Sequence, residues 1–159
     1  MSTNNLSIYL NDHLAGSVGA LELVDHMIST STDEALERFL RDLRGDIQAD
    51  QEVLRRVMGM LGIEESGVRK AVAWVMEKAG RAKLPFAGAR EIDLVQALEG
   101  LLLGITGKKS LWHSLAKVQD VARRLEGIDL ANLEQRAENQ CERVRAKSEL
   151  AVKDAFKAG

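Results

Sequence analysis

Apolar residues recur along most of the chain at alternating intervals of three and four, the spacing that places them on one stripe of an α-helix. Leu6, Leu10, Leu14, Leu21, Val24 and Ile28 follow it, with Ser17 filling the gap, and predict a first helix over about 5–29. The run Ser29-Thr30-Ser31-Thr32 breaks that helix, and Ser31 with Glu34 has the spacing of a capping box opening the next one. The second helix is predicted over about 32–61 on the seam Leu36, Leu40, Leu43, Ile47, Asp50, Leu54, Val57 and Leu61. Asp50 is the one polar member of that seam, whereas Glu37, Arg38, Arg41, Arg44 and Arg55 suit a solvated face. Gly62 supplies a C-terminal stop.

A short helix over about 67–82 follows, capped by Ser66, with Val68, Ala71, Val72, Val75 and Ala79 on one face. Pro85 and Gly88 then make residues 83–88 irregular. The next long helix spans about 90–126 and carries two stripes. Leu94, Leu98, Leu101, Leu102 and Ile105 form the first; Leu111, Leu115, Val118, Ala122 and Leu125 form the second. Gly104 and Gly107 lie between them and predict a kink or break. Gly127 ends this helix and Asp129 caps a last one over about 130–157, with Leu133, Ala137, Gln140, Val144 and Ala151 on its seam.

Tight turns make the first two long helices antiparallel, and likewise the last two. The long middle connection is long enough to run back along the bundle, which makes the second and third long helices parallel. That connectivity is the ferritin-like four-helix bundle with a long crossover, rather than simple up-down-up-down. The chain of 159 residues is read as a single all-α domain.

Composition narrows the function classes. The 22 basic and 24 acidic residues give a net charge of −2, which argues against phosphate-driven nucleic-acid binding. No apolar run approaches the ~18 residues of a membrane span. The first residues carry neither a basic nor an apolar leader region, so the cytoplasm is the expected compartment. The lone Cys141 excludes an internal disulfide or a Cys-based zinc site.

Chemistry is sought where polar residues sit on apolar seams, because burying them unpaired costs about 1–3 kcal/mol. Asp50 and Gln140 lie within their seams and His13 flanks Leu14. Reflection through the two tight turns brings His13 level with Asp50, and Gln140 level with about residue 114, beside His113. A shared buried polar layer of His13, Asp50, Gln140 and His113 is therefore expected. A di-iron or di-manganese centre needs Glu-x-x-His from two helices and a carboxylate from each of two others. No Glu-x-x-His occurs. Glu22, His26, Asp50, Glu99 and Glu138 are the weak metal candidates left for iron or manganese. Lys108 and Lys109 read as a solvated basic spot, and Trp74 and Trp112 as packing anchors. The small residues from Gly16 to Ala20 let a neighbouring helix approach or leave room for a small molecule.

The segment Asn11-Asp12-His13-Leu14-Ala15-Gly16-Ser17 resembles a group of small bacterial ferritin-like helical proteins of unassigned function. The likeness continues through Ile47-Gln48-Ala49-Asp50-Gln51 with Leu54, Ala73-Trp74, Gly107-Lys108, Leu111-Trp112 and Arg136-Ala137-x-x-Gln140. It implies a ferritin-like bundle, without the ligand pattern of iron-storage relatives. The leading expectation is a non-catalytic scaffold or interaction protein that self-associates, with no nucleic-acid or membrane partner. A metal-dependent redox or ligand-binding protein is the alternative, and a small-molecule pocket near Gly16–Ala20 is the third reading.

Overall fold

A computed structural model describes residues 3–67, 69, 73 and 91–157. Five α-helices and no strand occur among them. These are α1 (Thr3–Thr30), α2 (Glu34–Met60), α3 (Glu91–Lys117), α4 (Gln119–Arg124) and α5 (Leu130–Ala155). The predicted helix over 67–82 and the irregular stretch around Pro85 fall almost wholly outside the described residues.

Local chemistry sets the helix ends. The cap of α2 is Asp33 rather than the predicted Ser31. The Asp33 carboxylate accepts from the Leu36 amide at 3.0 Å, while the Ser31 hydroxyl accepts from the Asp33 amide at 3.2 Å. A carboxylate there also complements the helix dipole, with Glu34 and Glu37 in the first turn. At the other end Gly62 takes φ 68°, and the Ile63 amide bonds back to the Met58 carbonyl at 2.9 Å. This left-handed closure requires no Cβ. Asp129 caps α5 by accepting from the Asn132 amide at 2.9 Å.

The predicted helix over 90–126 is two helices, and its interruption is not at the glycines. α3 runs unbroken through Gly104 and Gly107 to Lys117. The break comes at Val118, which adopts an extended backbone and is 41% exposed, not part of the apolar stripe. A helical glycine costs only about 1 kcal/mol in propensity, and packing against α5 overrides that.

Contacts fix the directions of the rods. The Arg44–Asp25 pair and the bond from Gln51 to Ser17 set α1 antiparallel to α2. Lys109–Glu138 and His113–Glu134 set α3 antiparallel to α5. Lys108 meets Asp50, and Arg124, just beyond α3, donates to the Leu61 carbonyl at 3.0 Å. Residue numbers thus rise together along α2 and α3. The core joins all four long helices, with Leu14, Leu40, Leu98 and Val144 fully buried. Each such leucine contributes about 1.5–3 kcal/mol by leaving water. Every member of the predicted α2 seam is buried, Asp50 among them.

Candidate functional site: a cleft floored by a buried ion cluster

A cleft of about 420 Å³ opens between α1, α2 and α3. Small residues make it. Gly16 and Ala20 on α1 and Gly104 and Gly107 on α3 all line it. A Cβ placed on Gly16 or Gly104 would meet nothing within 4 Å, so these helices leave unfilled space there. His13 occupies part of the gap. Its ring stacks edge-on to Tyr9 with centroids 4.6 Å apart, and its Cε1 lies 4.0 Å from where a Gly107 Cβ would stand. From α2 come Asp50, Gln51 and Leu54, and from α3 come Lys108, Leu111 and Trp112. Gln51 is held in place by donating to the Ser17 hydroxyl at 2.9 Å and accepting from Arg55 at 2.9 Å.

The floor is an ion cluster. The Asp50 side chain is 0% exposed. Its Oδ2 accepts from Lys108 Nζ at 2.7 Å and from Gln140 Nε2 at 2.9 Å. Lys108 Nζ also donates to Gln140 Oε1, closing a three-membered network across α2, α3 and α5. Arg136 Nη2 lies 3.0 Å from Asp50 Oδ1. That approach is an ion pair without hydrogen-bond alignment, so Oδ1 is left with no directed donor among the described residues. The second buried polar atom in that condition is Trp112 Nε1, on a side chain with no exposed surface. Burial holds Lys108 below the ordinary lysine range, an effect that Asp50 partly offsets. Burial likewise lowers His13, against a smaller opposing pull from Asp12.

Of the expected polar layer, Asp50 and Gln140 are buried and bonded, and His13 is half-buried on the cleft wall. His113 does not join them. It lies on the surface, with its Nδ1 3.1 Å from Glu134. The corner between α3 and α5 consumes residues 118–129, including α4, so Gln140 stands opposite Lys108 rather than residue 114. The weak metal candidates are not brought together. Glu22, His26 and Glu99 are exposed, and Glu138 is bonded to Lys109. Asp50 is held by cations. No group of three or more histidine, cysteine or acidic side chains placed to hold a metal occurs among the described residues.

The decisive residue missed from the sequence is Lys108, expected in solvent and found 15% exposed at its side chain. A signal was present, because Leu101, Ile105, Lys108, Leu111 and Leu115 continue one three-four stripe along α3. Arg136, a further cation on Asp50, gave no comparable periodic cue. No helix among the described residues is long and apolar enough to cross a membrane. Comparison of the chain with protein-family models, with curated proteins and with solved structures finds no match.

Proposed function

We propose that this chain is a ferritin-like, long-crossover bundle that binds a compact, largely apolar small molecule in the α1–α2–α3 cleft. The observation that carries the reading is a mainly apolar cleft of about 420 Å³, two of whose lining residues, Asp50 and Trp112, each hold a buried polar atom (Oδ1 and Nε1) with no hydrogen bond among the described residues. Native interiors satisfy nearly all such atoms, and leaving one unmet costs about 1–3 kcal/mol. Concave, mostly apolar sites with a few convergent polar groups are the general form of small-molecule sites, at volumes of about 300–1,000 Å³. The shared direction of α2 and α3 supports the long crossover, since a chain leaving one end of α2 must return to the other end of the bundle to enter α3.

A scaffold or self-associating role has less support. The most exposed large apolar residues, Ile8, Leu103, Leu150 and Phe156, fall singly on different parts of the chain, which is ordinary for a monomer's surface. The iron or manganese reading has less again, because the described carboxylates and histidines form no ligand set.

The test is a panel of neutral apolar probes (toluene, indole, cyclohexanol, decan-1-ol) titrated into ¹⁵N-labelled protein. The readout is the Trp112 indole N–H resonance, assigned with Trp112→Phe. A Gly16→Phe variant, which fills the open space beside α1, serves as the blocked control. At least one probe moves the Trp112 signal in the wild type and fails to in Gly16→Phe. If no probe moves it, or the blocked variant responds equally, the cleft is not a binding site.

A further inference from the structure

We propose that Lys108 is a nucleophile, and that the compact apolar ligand of this cleft is an aldehyde or ketone held on it as an imine. This deepens the reading above and rests on it. Among the described lysines, Lys108 alone lines the cleft. Its side chain is 15% exposed, so it stands mostly out of water yet keeps an opening. Leu54, Ile105, Leu111 and Gly16 line the space beside it. Such apolar surroundings protect an imine, which water hydrolyses. The lining carries two carboxylates, Asp12 and Asp50, against the one cation, Lys108. Nothing in it selects an anion, and a neutral carbonyl compound suits it. The adjacent Lys109 is the contrast. It lies outside the cleft lining, and its bond to Glu138 holds it above the ordinary lysine range.

An ammonium has no lone pair, so Lys108 reacts only after losing a proton. Asp50 Oδ2, 2.7 Å away, is placed to take it. Burial favours that transfer by penalising the charged ammonium, and prevails over the opposing pull of Asp50. The Nζ lone pair then adds to the carbonyl carbon, and a proton moves from nitrogen to the former carbonyl oxygen, giving a carbinolamine. Asp50 returns its proton to that oxygen as the C–O bond breaks, and one water leaves. A C=N bond with a positive nitrogen remains. Ammonium and iminium carry the same charge, so Asp50 ends as it began, ionised beside one cation. No oxidant or reductant is consumed. The iminium keeps a single N–H, for Asp50, and gives up the bond to Gln140 Oε1.

The experiment mixes the wild-type protein with benzaldehyde at pH 7 in the presence of sodium cyanoborohydride, which reduces an imine to a stable benzylamine. Label at each lysine is read by peptide mass spectrometry. Lys108 carries at least about ten-fold more label than Lys109, because a carbonyl held beside an amine is present at a far higher effective concentration. An excess of whichever neutral probe above moves the Trp112 signal removes that surplus and leaves Lys109 unchanged, as does Gly16→Phe. Equal labelling of the two lysines, or a Lys108 surplus that survives the competing probe or Gly16→Phe, overturns the imine assignment and leaves the cleft reading to its own test. Failure of every neutral probe, with no surplus at Lys108, overturns the cleft reading itself. Should Gly16→Phe not fold, competition in the wild type decides the matter alone.

Discussion

Replacing Asp50 by asparagine keeps the shape of the side chain and removes its charge, so it isolates the electrostatics of the cleft floor. The carboxylate is wholly buried and holds Lys108 and Gln140 by hydrogen bonds of 2.7 and 2.9 Å, with Arg136 at 3.0 Å. Removing one partner of a buried ion pair costs about 3–5 kcal/mol, since the other charge stays buried and unmet. Here the abandoned cations retain routes to water. The Arg136 side chain is 38% exposed and swings out, so its share is discounted to that of a surface pair. Lys108 is 15% exposed and has little such freedom. The expected loss is therefore near the bottom of that range, about 3 kcal/mol. Equilibrium urea unfolding followed by far-ultraviolet circular dichroism measures it, as a lower midpoint at unchanged slope. The triple variant Asp50→Leu, Lys108→Met, Gln140→Leu removes the three hydrogen-bonded members together and leaves only Arg136, whose half-open side chain reaches water. It should lie above Asp50→Asn in stability, because apolar replacement of a complete buried pair is often neutral or stabilising. A loss below about 1 kcal/mol for Asp50→Asn, or a triple variant less stable than the single one, refutes a tightly coupled floor.

Other outcomes follow from single contacts. Burial lowers the His13 pKa below its ordinary 6.5, so below pH 6.5 the unfolded chain takes up a proton that the folded chain declines. Stability is then fully present above pH 6.5 and falls on acidification through it, and the drop measured between pH 7 and 5.5 is smaller in His13→Gln. Asn11, buried at 7% exposure, accepts from the Ser66 amide at 2.7 Å and donates to the Glu64 carbonyl at 3.2 Å. Asn11→Ala should cost about 1–3 kcal/mol and speed hydrogen exchange at Ser66, and unchanged exchange there removes the reasoning. Asp129→Ala deletes the α5 cap and should cost about 1 kcal/mol by urea unfolding. Gly16→Ala adds a methyl that meets nothing within 4 Å and should raise stability by about 1 kcal/mol, read as a higher thermal midpoint.

Periodicity carried the architecture well where seams were continuous. The α2 seam from Leu36 to Leu61 is buried at every member, and Asp50 stands out because a charge on an apolar stripe breaks the pattern. Asp129 was legible as a cap because a short acidic side chain directly before an apolar repeat has one favourable use. The corner at 118–129 was not legible. Val118 keeps the apolar spacing, yet its backbone is extended, and backbone geometry at a corner follows from packing that no local pattern encodes. That shift of register misplaced His113, whose pairing with Glu134 depends on which residues face each other across two helices. Lys108 was missed because a lysine reads as solvated unless its stripe is traced through it. Its burial depends on a carboxylate 58 positions away in the chain.

The floor cluster has a mechanical side. α5 supplies none of the cleft's walls, yet Gln140 and Arg136 grip the same carboxylate that lies at its base. Asp50 is thus a hub on which three rods are hung. A tug on it from beside α1 is felt by a rod on the far flank, and substitutions at Arg136 will be read out where that side chain never reaches.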